Sequence, residues 1–130
     1  DVILTPHPGE MAHLTGLTVE EIEKNRLEVA KQFAQEYGVY LLLKGHRSII
    51  TTPDGEQFIN PFGNDALGKG GSGDVLTGFI ASFIAQGAST ANAFIAASYY
   101  HASAAEQAGK ELSNYGVTPL DVVECVRGMF

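Results

Sequence analysis

Val2-Ile3-Leu4 is a short apolar run ending at Thr5-Pro6, which predicts a buried strand. Thr18-Val19-Glu20-Glu21 has the spacing of a capping box, the Thr hydroxyl taking the amide three residues on while Glu21 reaches back. It opens a predicted long helix with Ile22, Val29, Ala30, Phe33, Ala34 and Tyr37 on one face, stopped by Gly38. Val39 to Leu43 is apolar at every position, as a strand covered on both faces would be. Strand, helix and strand together predict a right-handed βαβ unit. Ser48 to Thr52 and Gln57 to Asn60, joined through Pro53-Asp54-Gly55-Glu56, predict a β-hairpin. The rest is helical in pattern: an apolar helix from about Gly73 to Gln86, another from Ser89 towards Gln107, and a last one opened by Thr118-Pro119-Leu120-Asp121. The pattern as a whole reads as α/β with three layers.

Composition narrows the function. The chain has 130 residues, enough for one domain with a real core. Its opening on Asp1-Val2-Ile3-Leu4-Thr5, a strand already under way, leads us to expect a domain whose earlier strands are absent from this chain. A net charge of −7 argues against a sequence-independent grip on nucleic acid phosphates. Cys125 is the single cysteine, so the sequence offers neither an intrachain disulfide nor a thiolate cluster. Ser82, Gln86, Gly87 and Asn92 break the apolar stretch from Leu76 to Ala97, so no membrane span is expected and a cytoplasmic protein is the default.

The stretch Gly63-Asn-Asp-Ala-Leu-Gly68-Lys69-Gly70-Gly71-Ser72-Gly73-Asp74 fits three nucleotide-binding descriptions. As a P-loop it lacks the hydroxyl that serves Mg²⁺, because Gly70 follows Lys69. As a dinucleotide fingerprint it lacks a strand directly before it, and no acid occurs between Val75 and Ala105 to hold a ribose. As an anion cradle it is coherent. Gly70, Gly71 and Gly73 let backbone N–H groups converge at a helix start, with Asp74 in its first turn. A carboxylate there could take the proton of a hydroxyl during phosphoryl transfer, or simply cap the helix.

These residues carry a family likeness. Thr5-Pro-His-Pro-Gly-Glu10-Met11, Lys44-Gly45 after an apolar strand, Gly63-Asn64 and Gly70-Gly-Ser-Gly-Asp74-Val-Leu-Thr-Gly resemble the ATP/ADP-dependent NAD(P)H-hydrate dehydratases of the ribokinase-like superfamily. The likeness covers nearly the whole chain but only the C-terminal part of the family's domain. It implies a three-layer αβα fold with a mostly parallel sheet, residues 1 to 130 forming one domain. It implies repair of hydrated NADH or NADPH at the expense of ATP or ADP, with Mg²⁺. By the same likeness Asp74 is the base on the substrate hydroxyl, and the amides of Gly71, Ser72 and Gly73 form the oxyanion cradle. His7 would contact the hydrated cofactor. Lys44, Gly45, His46, Arg47 and Ser48 would form one wall of the nucleotide site, with Gly63, Asn64, Lys69 and Gly70 on the other. Glu10 aligns with an acid that serves Mg²⁺ in related kinases and would reach the ion through a water. A homo-oligomer, with a tetramer as the family's habit, is also implied.

Bland alternatives stand beside these. Glu10 could simply favour the first turn of a short helix, and His46 and Arg47 read equally as solvated turn residues. Asp65 and Lys69 stand where the family usually has small neutral residues; Lys69 could reach a phosphate. His101, after Tyr99-Tyr100, reads as a hydrogen-bonded core or interface histidine. The rival functions are a hydroxyl kinase of the same fold, of the hydroxyethylthiazole kinase type, and a non-catalytic nucleotide-binding module.

Overall fold

The computed structural model describes residues 1–63 and 65–130. They divide into two compact units, Asp1–Asn60 and Pro61–Phe130. Asn64, placed in the nucleotide wall by the family likeness, lies outside the described residues.

In the first unit the elements run β1 (Ile3–Leu4), α1 (Pro8–Thr15), α2 (Val19–Lys24), α3 (Arg26–Tyr37), β2 (Tyr40–Leu43), β3 (Ile49–Thr51) and β4 (Gln57–Ile59). The strands form one sheet in the order β1-β2-β3-β4. β1 pairs with β2 in parallel, as the βαβ reading requires, and Ile3 faces Tyr40. β3–β4 is antiparallel, which is the expected hairpin; β2–β3 is antiparallel as well, so the described strands make a mixed sheet with one parallel pairing rather than a mostly parallel one. Its turn is held by Thr52, which exchanges backbone bonds with Gly55 and Glu56, each at 2.9 Å.

Helices cover one face of this sheet. Met11, Ile22, Ala30, Phe33 and Ala34 pack with Leu41 and Leu43 of β2 and Ile49 of β3. Leu42, on the alternate face of β2, is also fully buried, so the unbroken apolar run is explained by cover on both sides. Each such leucine contributes roughly 1.5–3 kcal/mol of burial.

One expectation is corrected here. The predicted single helix from Thr18 is two helices. Asn25 leaves helical geometry at φ −136°, ψ 40° and separates α2 from α3. The apolar spacing survives the break, which is why periodicity alone did not show it. Tyr37, expected on the buried face, is exposed and lies against Phe33 with ring centroids 4.6 Å apart.

The second unit has a 3-10 turn (Asp65–Gly68) and three helices, α4 (Ser72–Ala85), α5 (Thr90–Gly116) and α6 (Pro119–Arg127). Ala104, Ala105 and Ala108 of α5 form a close-packed core with Ala66, Val117 and Val122. Ser89 caps α5 as expected, but the helix runs beyond Gln107 to a kink at Ser113, whose φ of 62° is left-handed. Thr118, Pro119 and Asp121 open α6 with a complete capping box.

Candidate active site

β1 and β2 run parallel and end at the same sheet edge, where α/β proteins place their ligands. The Lys44 N–H donates to the Pro6 carbonyl at 2.9 Å, so the turn after β1 and the turn after β2 are held side by side. His7 caps α1: its Nδ1 accepts the Glu10 N–H at 3.1 Å, while its own N–H donates to Glu10 Oε2 at 2.7 Å. An imidazole thus fills the place usually taken by Ser or Thr in a capping box. With Nδ1 accepting, the neutral ring carries its proton on Nε2. The Lys44 ammonium stands 3.8 Å from Glu10 Oε2. The His7 N–H, more than any other group, holds the Glu10 carboxyl below its usual pKa; slight desolvation opposes this, and the Lys44 ammonium and the nearby imidazole add to it. More than half of each side chain, His7 and Glu10, remains exposed to meet a ligand.

Beside them lies a recess of about 370 Å³ lined by Leu4, Thr5, Pro6, Glu10, His13 and Leu14. His13 escaped the sequence reading; its place three residues after Glu10 on one helix face was the available signal. The structure therefore groups His7, Glu10, Lys44 and Gly45 at one sheet edge. Ser48 Oγ donates weakly to the Gly45 carbonyl, at 3.5 Å. His46 and Arg47 are exposed and make no hydrogen bond or ion pair among the described residues.

The glycine-rich loop of the second unit leads into α4. Gly71 is its N-cap, with a left-handed φ of 89° that a side chain would resist, and it offers no side-chain cap. The first helical bond joins the Val75 N–H to the Gly71 carbonyl at 3.2 Å. The Ser72 N–H is engaged by the Lys69 carbonyl at 3.1 Å, so one of the three expected cradle donors is used inside the chain. The amides of Gly71, Gly73 and Asp74 have no acceptor among the described residues. Asp74 is exposed in the first turn, and its carboxylate has no partner among those residues. The arrangement is an uncapped helix N-terminus with a carboxylate at its rim, able to hold an anionic oxygen and accept a proton.

Three polar ties hold this loop. The Lys69 ammonium donates to the carbonyls of Tyr115 and Val117. Ser72 Oγ lies 3.3 Å from His101 Nε2, both side chains buried, with Phe79 edge-on to the imidazole. The Gly63 N–H donates to Glu106 Oε1 at 3.2 Å. His101 is the hydrogen-bonded core histidine expected; the part of Glu106 was not anticipated. Gly70 has open space where a side chain would stand. No group of three His, Cys, Asp or Glu among the described residues could hold a metal ion by itself.

The sequence profile of the NAD(P)H-hydrate dehydratase family matches residues 1–127. The chain belongs to this family. It is 42% identical over 123 residues to the bifunctional NAD(P)H-hydrate repair enzyme Nnr of Moorella thermoacetica, covering 95% of this chain and 23% of that one. Against the ADP-dependent (S)-NAD(P)H-hydrate dehydratase of Bacillus subtilis it is 45% identical over 105 residues, 81% of this chain and 38% of the relative. A crystal structure of the ADP/ATP-dependent NAD(P)H-hydrate dehydratase from Bacillus subtilis, co-crystallized with ATP/Mg²⁺, superposes with a TM-score of 0.94 at 38% identity. That match covers 98% of this chain and 46% of the other. This dehydratase-family chain thus spans less than half the length of these relatives. Its fold is the ribokinase-like α/β fold.

Proposed function

We propose that this chain acts in the nucleotide-dependent repair of hydrated NADH or NADPH. The terminal phosphoryl group of ATP or ADP passes to the hydroxyl on the hydrated nicotinamide ring, and Asp74 takes the hydroxyl proton. Phosphate then leaves as the neighbouring ring carbon loses a proton, and the double bond returns. The amides at the start of α4 steady the charge on the transferring group. Lys44 to Ser48, Gly63, Asn64 and Gly70 contact the nucleotide, and His7 meets the hydrated cofactor.

Mg²⁺ on the nucleotide would neutralise phosphate charge. The residues present suit an ion held mainly by phosphates and water, since they offer single carboxylates rather than a cage. Glu10 would reach it through a water. A cytoplasmic homo-oligomer completes the reading; no described helix is long and apolar enough to cross a membrane.

The observation that carries the proposal is the amide-lined start of α4, without a side-chain cap, and at its rim an exposed Asp74 that has no partner among the described residues. Hydrated NADH mixed with ATP or ADP and the intact protein should regain the absorbance of NADH. No recovery with either nucleotide removes the dehydratase reading, and accumulation of a stable phosphorylated product from another hydroxyl compound would favour a kinase. Asp74→Asn should lower turnover by about 10²–10⁴-fold, as expected for loss of a general base. A variant of near-normal rate would remove that role from Asp74.

A further inference from the structure

The break at Asn25 makes Arg26 the first residue of α3, and its side chain runs to the end of β2. A single guanidinium nitrogen, Nη2, donates to the carbonyls of both Leu43 and Lys44, each at 3.3 Å. The same group occupies the room beside Gly45. A Cβ at that position would stand 2.4 Å from Nη2 and 2.8 Å from Cζ. Arg26 Nε is buried without a hydrogen-bond partner among the described residues. The Lys44–Gly45 peptide is trans, so a carbonyl turned onto Arg26 turns the Gly45 N–H to the opposite side. That N–H has no acceptor among the described residues.

We propose that Arg26 is a positioning residue that fixes the Lys44–Gly45 peptide, holding the Gly45 N–H ready for an anionic oxygen of ADP or ATP. The inference rests on the assignment of Lys44 to Ser48 to the nucleotide site. Gly45 is then required because any side chain would evict the guanidinium, and not only because it leaves room for ligand.

The test uses the intact protein, with ADP affinity by calorimetry and hydrogen exchange of the residue 44–48 amides. Arg26→Met keeps the stem and loses the donors; it should weaken ADP about ten-fold, leave kcat at saturating nucleotide within about two-fold, and speed exchange at 44–48. Arg26→Lys, whose one nitrogen can serve both carbonyls, should recover most of each effect. Gly45→Ala should weaken ADP by a similar factor in the wild type and by little more in the Arg26→Met background. Wild-type affinity in Arg26→Met, or multiplied losses in the double variant, would overturn the proposal. If the unaltered protein fails to bind ADP, the nucleotide reading fails. Exchange then still decides the brace: faster exchange at 44–48 in Arg26→Met upholds it and unchanged exchange overturns it.

Discussion

The Lys69 ammonium lies against the Tyr115 and Val117 carbonyls, at the end of α5, where unpaired helix carbonyls concentrate negative potential. The contact ties the glycine-rich loop to the segment entering α6. Lys69→Met keeps the stem and removes the donors, and should lower stability by about 1–2 kcal/mol in denaturant titration. Unchanged stability with weaker ADP binding would instead make the ammonium a nucleotide contact, the role suggested by the family likeness. At this scale the sequence is legible where one residue's chemistry suffices and opaque where a partner is needed. An acid after G-S-G reads as a base or cap from the chain alone. Ser72 and His101 stand 29 residues apart, and only the packing of α4 on α5 brings them together.

Among the elements, local caps were the most legible feature. In α6 the Thr118 N–H meets Asp121 Oδ2 at 2.7 Å and the Thr118 hydroxyl meets the same oxygen at 2.6 Å. In α2 the Thr18 N–H donates to Glu21 Oε2 at 2.8 Å and the Glu21 N–H donates to Thr18 Oγ1 at 3.1 Å. Such pairs depend on residues three apart, which a sequence displays. At the α2–α3 break Arg26 reaches the carbonyls of Leu43 and Lys44, 17 and 18 residues on, a pairing that no local pattern records. The caps also carry a pH dependence. The Thr118 hydroxyl first, then its N–H, hold the Asp121 carboxyl below the usual range. Glu10 is lowered likewise, chiefly by the His7 N–H. A lowered folded pKa means stabilisation that is complete above the unfolded carboxylate value and lost as pH falls through the folded one. Amide protection in α1 and α6 should therefore hold steady from neutral pH to the ordinary carboxylate range and fall in stronger acid. Thr118→Ala should cost about 1 kcal/mol and flatten the acid response of α6. Protection in α6 that is indifferent to acid in the unaltered protein would remove this account.

For the whole molecule, the α/β class was readable because the strand runs and helical stripes differ in period, and the hairpin because Pro53-Asp54-Gly55 marks its turn. The extent of α5 was not, since Ser113 kinks rather than ends it and buried alanines carry the helix past Gln107. A ligand that binds only the folded chain stabilises all of it by mass action, about 2.7 kcal/mol at a hundred times Kd. Binding and chemistry can therefore be separated by melting the intact protein with and without ADP. If the amides at the start of α4 hold the phosphates and Asp74 acts only on the hydroxyl, Asp74→Asn should keep the full ADP-induced rise in Tm while losing turnover. Gly73→Pro deletes one of those donors at a helix position that tolerates proline, and should shrink the rise without unfolding the unliganded protein. An undiminished rise in Gly73→Pro would mean that the nucleotide is held elsewhere, and Asp74 would then have no phosphoryl group beside it.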